Sequence, residues 1–290
     1  MRINIKKEHE AYLFILPAFL MLIIIMGFPL TMAVLMSLNL VWVKKSLLGF
    51  TLDNYIRLFK DGVFYNDLFV TLTFVLSTVI FHILLGLGVA MLLNTEIKAR
   101  RFFRVAAILP WTIPDVIAGL IWRFMFEPLS GIINSVLARL HLIQSPITWL
   151  SDVRLALPSV IFAEVWRGYP FVMLLLLAGL QAIPQGLYEA AEIDGASVLK
   201  RFWYITLPNL SRIIMIAFSL DFIWECRRFG LVYNMTGGSP GHATEILSLY
   251  VYKNYFIFFN FGYAAAIAVI LAVVMLGVSF PYLKASMKER

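Results

Sequence analysis

The stretch LFVTLTFVLSTVIFHILLGLGVAMLL, Leu68–Leu93, decides the fold class. It contains no Asp, Glu, Lys or Arg. An α-helix rises about 1.5 Å per residue, so roughly 20 apolar residues cross the hydrocarbon core of a bilayer. A helix also pairs its own backbone amides, which lipid cannot do. The stretch therefore predicts a membrane-spanning helix.

The rest of the chain shares this apolar character. Of its 290 residues, 61% are hydrophobic and only 14% are charged, and the mean hydropathy is +0.85. Soluble domains carry about a quarter charged residues, so a soluble class is excluded. Six spans are predicted, namely Ala11–Met36, Leu68–Leu93, Val105–Phe126, Leu155–Leu180, Ile213–Trp224 and Ala264–Tyr282. The sequence thus predicts an all-α polytopic membrane protein with one transmembrane domain over residues 1–290.

The orientation of the spans follows from their flanking charges. The first apolar run is longer than the roughly 7 to 15 apolar residues of a signal peptide, so we expect it to be a retained helix. Basic residues favour the side that holds both termini, as in the segments 98–104 and 200–201. By the positive-inside rule that side is cytoplasmic. The net charge of +7 is explained by this bias, and no nucleic-acid partner is predicted.

A polar island, EAAEIDGASVLKRFWYITLP, interrupts the apolar pattern at residues 189–208. Good helix formers predict a first helix over Gln185–Ile193 after a proline. Gly195 suits a left-handed turn that ends this helix. Ser197 then suits the cap of a second short helix that runs toward Leu207 and is limited by Pro208. Residues 184–208 are predicted to form a cytoplasmic helix-turn-helix.

The composition of this helix-turn-helix suits protein docking. Its centre consists of small residues: Ala190, Ala191, Gly195 and Ala196. Its rim carries both signs of charge: Glu189, Glu192, Asp194, Lys200 and Arg201. A small apolar centre with a charged rim is typical of an interface. An interfacial amphipathic helix or a solvated loop would show a similar pattern, and shape alone does not separate these alternatives.

The residue types in this island resemble a known motif. The run Glu189–Ala196, followed by Phe202, Ile205, Leu207 and Pro208, resembles the EAA loop of permease subunits of ABC importers. The resemblance implies that the loop couples to a separate ATPase. The residues implied in coupling are Glu189, Ala190, Ala191, Asp194, Gly195, Ala196, Phe202 and Pro208. It also implies a bacterial inner membrane location, a second homologous permease, two ATP-binding subunits, an extracellular or periplasmic solute-binding protein and contact with membrane lipid.

Other segments resemble carbohydrate-type permeases. These are Leu52–Tyr55, Pro110–Pro114, Ile121-Trp122 and Gly131–Asn134. The run Met235–Gly241 is similar to an external loop of the maltose-type first permease and its lactose and glycerol-phosphate relatives. That similarity implies contact with the binding protein at Thr236, Gly237, Gly238 and Pro240. A plain surface turn is the alternative, since Gly and Pro break helices. Ser239 and the run Cys226–Arg228 depart from the family pattern, which leaves the solute open.

Charged residues inside the predicted spans form a second group of candidates. A charge near the bilayer centre costs about 2.5 to 3.5 kcal/mol on insertion scales, so it needs a partner or a watery cavity. Glu164 and Arg167 lie three residues apart and can neutralise each other. Asp115 and Arg123 lie two turns apart and cannot meet without a kink, which prolines 110 and 114 could supply.

Two further acids, Asp221 and Glu225, lie four residues apart on the fifth predicted span. Because they carry like charges, they need a cation such as Arg227 or Arg228, or one of them must take up a proton. For His82 we expect a hydrogen-bonded neutral group, since no second histidine lies at metal-binding spacing.

Aromatic residues near these charges suggest a solute pathway. A sugar presents C–H faces and a rim of hydroxyls, which flat rings and a few polar groups can hold. The candidates are Trp122, Trp166, Tyr169, Phe171 and Trp224. Aromatic residues also concentrate at membrane interfaces, which is the competing interpretation.

The chain lacks the motifs of an enzyme. It has no G-x-x-x-x-G-K-[ST] run to hold nucleotide phosphates, no H-E-x-x-H or C-x-x-C pattern, and a single cysteine, Cys226. We therefore expect no catalysis, cofactor or metal, and ATP hydrolysis by partner subunits. The predicted function is the membrane subunit of a sugar or oligosaccharide importer. A polyol, sugar phosphate or uronic-acid oligomer as solute, an ion-coupled secondary transporter, and a scaffold that moves nothing are the alternatives.

Overall fold

The computed structural model describes residues 5–40 and 49–287, and this part of the chain is helical with no β-strand. The helices are α1 Ile5–Leu22, α2 Phe28–Ser37, α3 Asp53–Leu58, α4 Gly62–Asn94, α5 Arg100–Thr112, α6 Asp115–Met125, α7 Ile132–Arg139, α8 Val153–Ala182, α9 Gln185–Ile193, α10 Val198–Arg201, α11 Leu207–Cys226, α12 Gly230–Met235, α13 Leu247–Tyr252 and α14 Phe261–Met287. Single π turns lie at Ile23–Gly27, Phe202–Thr206 and Lys253–Ile257. The all-α class is confirmed.

Five helical segments in the described residues are long and apolar enough to cross a membrane: Phe14–Ser37, Gly62–Asn94, Val153–Ala182, Val198–Cys226 and Phe261–Val278. A sixth candidate is the pair α5 and α6, which is bent by 95°. The prediction of about six spans is confirmed, with the third span broken rather than straight. The break falls at Ile113-Pro114, where Ile113 is extended. A residue before proline avoids the helical region, and proline itself cannot donate to the preceding turn.

The fifth span differs from the prediction. It was expected to be short, over Ile213–Trp224, and to be separate from a helix ending near Pro208. The structure instead has one continuous helical segment, Val198–Cys226, that contains both. Pro208 does not end it, because a π turn directly precedes it and already replaces the usual pairing: the Leu207 amide donates to the carbonyl of Phe202.

Contacts divide the chain into two compact units, one of residues 1–61 with 251–270 and one of residues 62–250 with 271–290. In the first unit, polar side chains fix α3 to the end of α2. The Asn54 amide donates to the carbonyl of Ser37 at 2.9 Å and to Oδ1 of Asn39 at 3.1 Å. The hydroxyls of Tyr55 and Ser37 bond at 2.8 Å. In the Leu52–Tyr55 segment, Asn54 and Tyr55 therefore form hydrogen bonds within this unit.

The core of the second unit is built by α4, α8 and α11. Its buried residues include Ala90, Leu93, Val172, Met173, Leu176, Leu177, Leu180, Leu210 and Ala217. The helices approach closely at glycine: a Cβ added to Gly86 would lie 2.9 Å from the backbone nitrogen of Met173. Small residues at such crossings let two backbones pack directly in a membrane protein. This core carries the polar groups described next.

Candidate functional site

The helix-turn-helix of residues 184–208, called the hairpin below, forms as its sequence predicts up to its second arm. The first arm is α9, and Gly195 adopts a φ of +75°, where L residues are strained. The Ser197 hydroxyl accepts from the Lys200 amide at 3.4 Å and caps the second arm. The hydroxyls of Tyr188 and Thr206 bond at 2.9 Å and join the two arms. The hairpin thus has a defined shape of its own.

The surface of the hairpin is open. No residue of α9 or α10 is buried, and Ile193 and Val198 are 87% and 72% exposed. Of the residues predicted to couple to an ATPase, Glu189, Ala190, Asp194, Gly195 and Pro208 are exposed, and Ala191, Ala196 and Phe202 are half-buried. Within the described residues, nothing covers the apolar side chains at the turn. Their role in docking stays a prediction at this point.

A second polar feature lies inside the bundle and is called the charge network below. It consists of His82 on α4, Asp115 on α6, Glu164 and Arg167 on α8, Asp221 and Glu225 on α11, and Arg228 just after α11. All of these residues are buried except Asp115 and Arg228, and the Arg228 side chain is only 12% exposed. The network therefore ties four helices together.

The arginines are the centres of the charge network. Arg167 pairs with Asp115, reaches Glu164 at 3.2 Å and donates to the carbonyl of Ile113 at 3.3 Å. Arg228 reaches Asp115 at 3.1 Å and Glu164 at 2.9 Å, and it also pairs with Glu225. Planar guanidinium groups suit such multiple contacts. The bend between α5 and α6 brings Asp115 to both arginines.

His82 completes the network on the side of α4. Its Nδ1 lies 2.8 Å from Oδ2 of Asp221, and its Nε2 lies 3.2 Å from the carbonyl oxygen of Glu164. The imidazole fits because residue 168 is glycine: a Cβ there would lie 2.3 Å from Cε1 of His82. His82 is hydrogen-bonded, as expected.

The pairings of these charges agree only in part with the sequence predictions. The local pair of Glu164 and Arg167 is confirmed, as is Arg228 as a cation for Glu225. The Asp221 carboxylate lies against His82, a contact that the sequence did not indicate. Asp115 pairs with cations from α8 and from the segment after α11, contacts between residues distant in sequence that no local pattern indicates.

The predicted pathway aromatics fall into separate groups. Phe171 stacks against Trp224 with ring centroids 4.4 Å apart, and against Trp111 at 6.0 Å. Trp122 and Trp166 pack together at 5.5 Å in another cluster. The Tyr169 hydroxyl donates to a backbone carbonyl of α5.

Trp111 was missed by sequence reasoning, although it lies within the quoted Pro110–Pro114 segment. It and Trp224 are each 38% exposed, and both contact the Phe171 ring. The three rings form a partly open aromatic surface. No single sequence signal indicates it, because the rings come from α5, α8 and α11.

The loop between α12 and α13 is compact. The hydroxyls of Thr236 and Thr244 bond at 2.7 Å, and that of Thr244 donates to the carbonyl of Ser239 at 2.9 Å. Gly237 and Gly238 adopt positive φ values of 60° and 92°. Gly238 is buried, whereas Gly237 and Pro240 are half-buried. Of the predicted contact residues, Thr236 and Gly238 therefore help to shape the loop.

A second tight turn follows α6. The backbone amides of Ser130 and Leu129 donate to the Glu127 carboxylate, at 2.5 Å and 2.8 Å. These bonds, chiefly that from Ser130, lower the pKa of Glu127 below its usual value. The turn orders the connection to α7.

Comparison with known proteins gives the family. Residues 82–287 match the model of the binding-protein-dependent transport system inner membrane component family. The trehalose/maltose transport system permease protein MalF of Thermococcus litoralis is 36% identical over 286 residues, covering 98% of this chain and 95% of that protein. The sulfoquinovosyl glycerol transport system permease protein SmoG of Agrobacterium fabrum is 34% identical, covering 94% and 89%.

A solved structure shows the same fold. It is a bacterial ABC transporter involved in the import of the acidic polysaccharide alginate, with a TM-score of 0.80, 22% identity, and coverage of 99% of this chain and 98% of that chain. Family match, relatives and fold agree, and the chain belongs to the binding-protein-dependent transport system inner membrane components, the permease subunits of ABC importers.

Proposed function

We propose that this permease moves a sugar or oligosaccharide inward, driven by separate ATPase subunits that dock on the hairpin. The open hairpin carries the proposal. Its apolar residues Ile193, Val198 and Leu199 are largely exposed. Contact of apolar side chains with water is unfavourable. Charged residues surround them, which suits a protein partner better than a bilayer interior. The hairpin would lie on the cytoplasmic side, where the basic residues are concentrated.

The helix path gives the hairpin a mechanical role. Its second arm continues without a break into α11, through to Cys226. A displacement of the hairpin by a closing ATPase would therefore move the far end of the same helix, where Asp221 meets α4. Rigid-body motion of packed helices is a common form of such switching. The chain would then alternate between outward and inward access together with a second, homologous permease.

The remaining partners follow from exposed surfaces and from the relatives. In the span Phe14–Ser37 the most apolar window is not buried by any of the residues that the structure describes, so lipid or a second permease would cover it. A related solved transporter is described in complex with a solute-bound periplasmic protein. The loop between α12 and α13 is the region where we place contact with such a binding protein, at Thr236, Gly237, Gly238 and Pro240.

The solute class rests on the aromatic surface and on relatives named for trehalose, maltose and sulfoquinovosyl glycerol transport. Phe171 and Trp224 offer flat faces to C–H groups, and Trp111 extends the surface. Direct binding of mono- and oligosaccharides, polyols, sugar phosphates and uronic-acid oligomers to the cognate binding protein identifies the solute. Binding of none of these classes would contradict the proposal for the solute.

The coupling proposal is tested by adding bulk to the hairpin. Gly195→Trp should abolish co-purification of the ATPase subunits and solute uptake. Because Gly195 has a positive φ, Ala190→Trp provides the same test on ordinary helical backbone. Leu142→Trp, at an exposed residue outside the hairpin, is the matched control and should keep both functions. Unchanged assembly and uptake in both hairpin variants would show that the ATPase docks elsewhere.

The same preparations separate the alternative classes. An ion-coupled transporter would move solute in vesicles that contain no ATPase, whereas this proposal requires ATP and the docked subunits. A scaffold would assemble and yet give no solute flux. Uptake that needs both ATP and an intact hairpin is the expected result.

A further inference from the structure

His82 and Asp221 meet inside the bundle, in a contact that joins α4 to α11. Nδ1 of His82 and Oδ2 of Asp221 lie 2.8 Å apart. The exposed fractions of the two residues are 0% and 2%, so water does not compete for either atom. The contact is a hydrogen bond only if one of the two atoms carries a proton.

The contact of the other ring nitrogen, Nε2, shows whether the proton between Nδ1 and Oδ2 is an additional one. Nε2 lies 3.2 Å from the carbonyl oxygen of Glu164, and a carbonyl oxygen can only accept. Nε2 therefore carries a hydrogen. A neutral imidazole then has a bare Nδ1, so the proton toward Asp221 must be an additional one. It lies on Nδ1 of an imidazolium or on Oδ2 of a carboxylic acid, and in both cases the pair as a whole is neutral.

The surrounding charges favour this neutral pair. The other charged members of the network are Asp115 from α6, Glu164 and Arg167 from α8, and Glu225 and Arg228 from α11 and the segment after it, and ion pairs join them to one another. Three carboxylates and two guanidinium groups leave one negative charge in excess. Oε2 of Glu164 also lacks a hydrogen-bond partner within the described residues. A second uncompensated negative charge at Asp221 would be costly in this dry interior.

We propose that the His82–Asp221 pair is a proton-binding site, and that its bound proton fastens α4 to α11. Without the proton, two acceptor atoms would face each other at 2.8 Å and the contact would open. The site lies near the far end of the helix that begins in the hairpin, so loss of the proton would loosen the part of the bundle that the hairpin moves. This inference does not depend on which solute is carried.

The first test is proton linkage in the purified importer complex. Between about pH 7.5 and about pH 9, free histidine and aspartate side chains are both largely deprotonated. If the folded pair holds a proton there, unfolding releases it, so stability falls as the pH rises. The unfolding equilibrium constant should rise by up to tenfold per pH unit through this pair. Thermal unfolding of the permease, followed across this pH range, measures the slope.

Asp221→Asn is the diagnostic variant. Its amide can donate to Nδ1 of a neutral imidazole and holds the same contact with no titrating proton. The difference in pH slope between wild type and variant should equal the contribution of the pair. Equal slopes in the two proteins would overturn the proposal. Gly168→Ala changes no titratable group but places a Cβ in the space of the imidazole, and it should also remove this slope.

Nitrogen NMR of the complex labelled in histidine gives an independent result that needs no unfolding. The His82 signal is the one that disappears in His82→Gln. At about pH 8, above the usual pKa of histidine, Nε2 should be protonated and Nδ1 should share a hydrogen bond. A bare Nε2 with the proton on Nδ1 would show an ordinary neutral histidine without the additional proton, and would overturn the proposal.

Discussion

The hairpin and the charge network both carry acids together with basic residues, yet these charges lie in opposite environments. In the network, each of the three acids Glu164, Asp221 and Glu225 lies buried against a cation or an imidazole from this chain. In the hairpin, charges and apolar side chains alike face outward. The contacts of the first arrangement are formed within one subunit. For the second we propose a partner, and one helix, Val198–Cys226, joins the two regions.

The largest effect on stability is expected when a cation is removed from the charge network. Arg228→Met should destabilise the permease by about 3 to 5 kcal/mol, because Glu225 would be left as an uncompensated buried charge and Glu164 would lose one of its two arginine partners. Thermal unfolding in detergent and the yield of folded protein measure the loss. The neighbouring Arg227 is exposed, and among the described residues its guanidinium donates to a backbone carbonyl of α11 alone, at 3.4 Å.

Arg227→Met is therefore the matched control and should change the stability by no more than about 0.5 kcal/mol. Two adjacent arginines with the same substitution would then differ several-fold in their effect. Equal losses would mean that the network is not held by Arg228 as the distances indicate.

A smaller effect on stability is expected from two glycines of α4, one in the packed interior and the other on the open surface. Gly86→Ala should destabilise the bundle by about 1 to 3 kcal/mol, because the new Cβ meets the backbone of α8 rather than a flexible side chain. Nothing lies within 4 Å of a Cβ at Gly88, two residues away. Gly88→Ala should stabilise α4 by about 0.5 to 1 kcal/mol through helix propensity. The two unfolding midpoints should therefore move in opposite directions, and a loss in both would place Gly88 at a packed surface too.

The sequence predicts local features of both regions well. The start of α9, the stop at Gly195 and the cap at Ser197 depend on neighbours within a few residues, and so does the pair Glu164 and Arg167. The family motif in the hairpin also lies in one continuous stretch. Features of this kind are readable because their physical causes are adjacent in the chain.

Contacts across the bundle are not readable in this way. His82 and Asp221 lie 139 residues apart, and the aromatic surface takes one ring from each of three helices. The length of the fifth span was also missed, because Pro208 stops most helices and the sequence does not show that a π turn accommodates it. Apolar periodicity indicates which segments are helices but not which faces meet.

The smallest effect concerns the ion pair of the hairpin, where Arg201 reaches Glu192 at 2.9 Å. The Glu192 side chain is 70% exposed, so solvent and salt screen the pair. Glu192→Gln should cost about 0.2 to 1 kcal/mol of permease stability at most, measured by thermal unfolding, and added salt should erase the difference. Arg201→Gln should behave in the same way. A loss as large as that of Arg228→Met would show that the hairpin charges complete an internal structure, and the distinction between the two regions would fail. A small loss in stability together with weaker assembly with the ATPase would instead show that these charges act toward a partner.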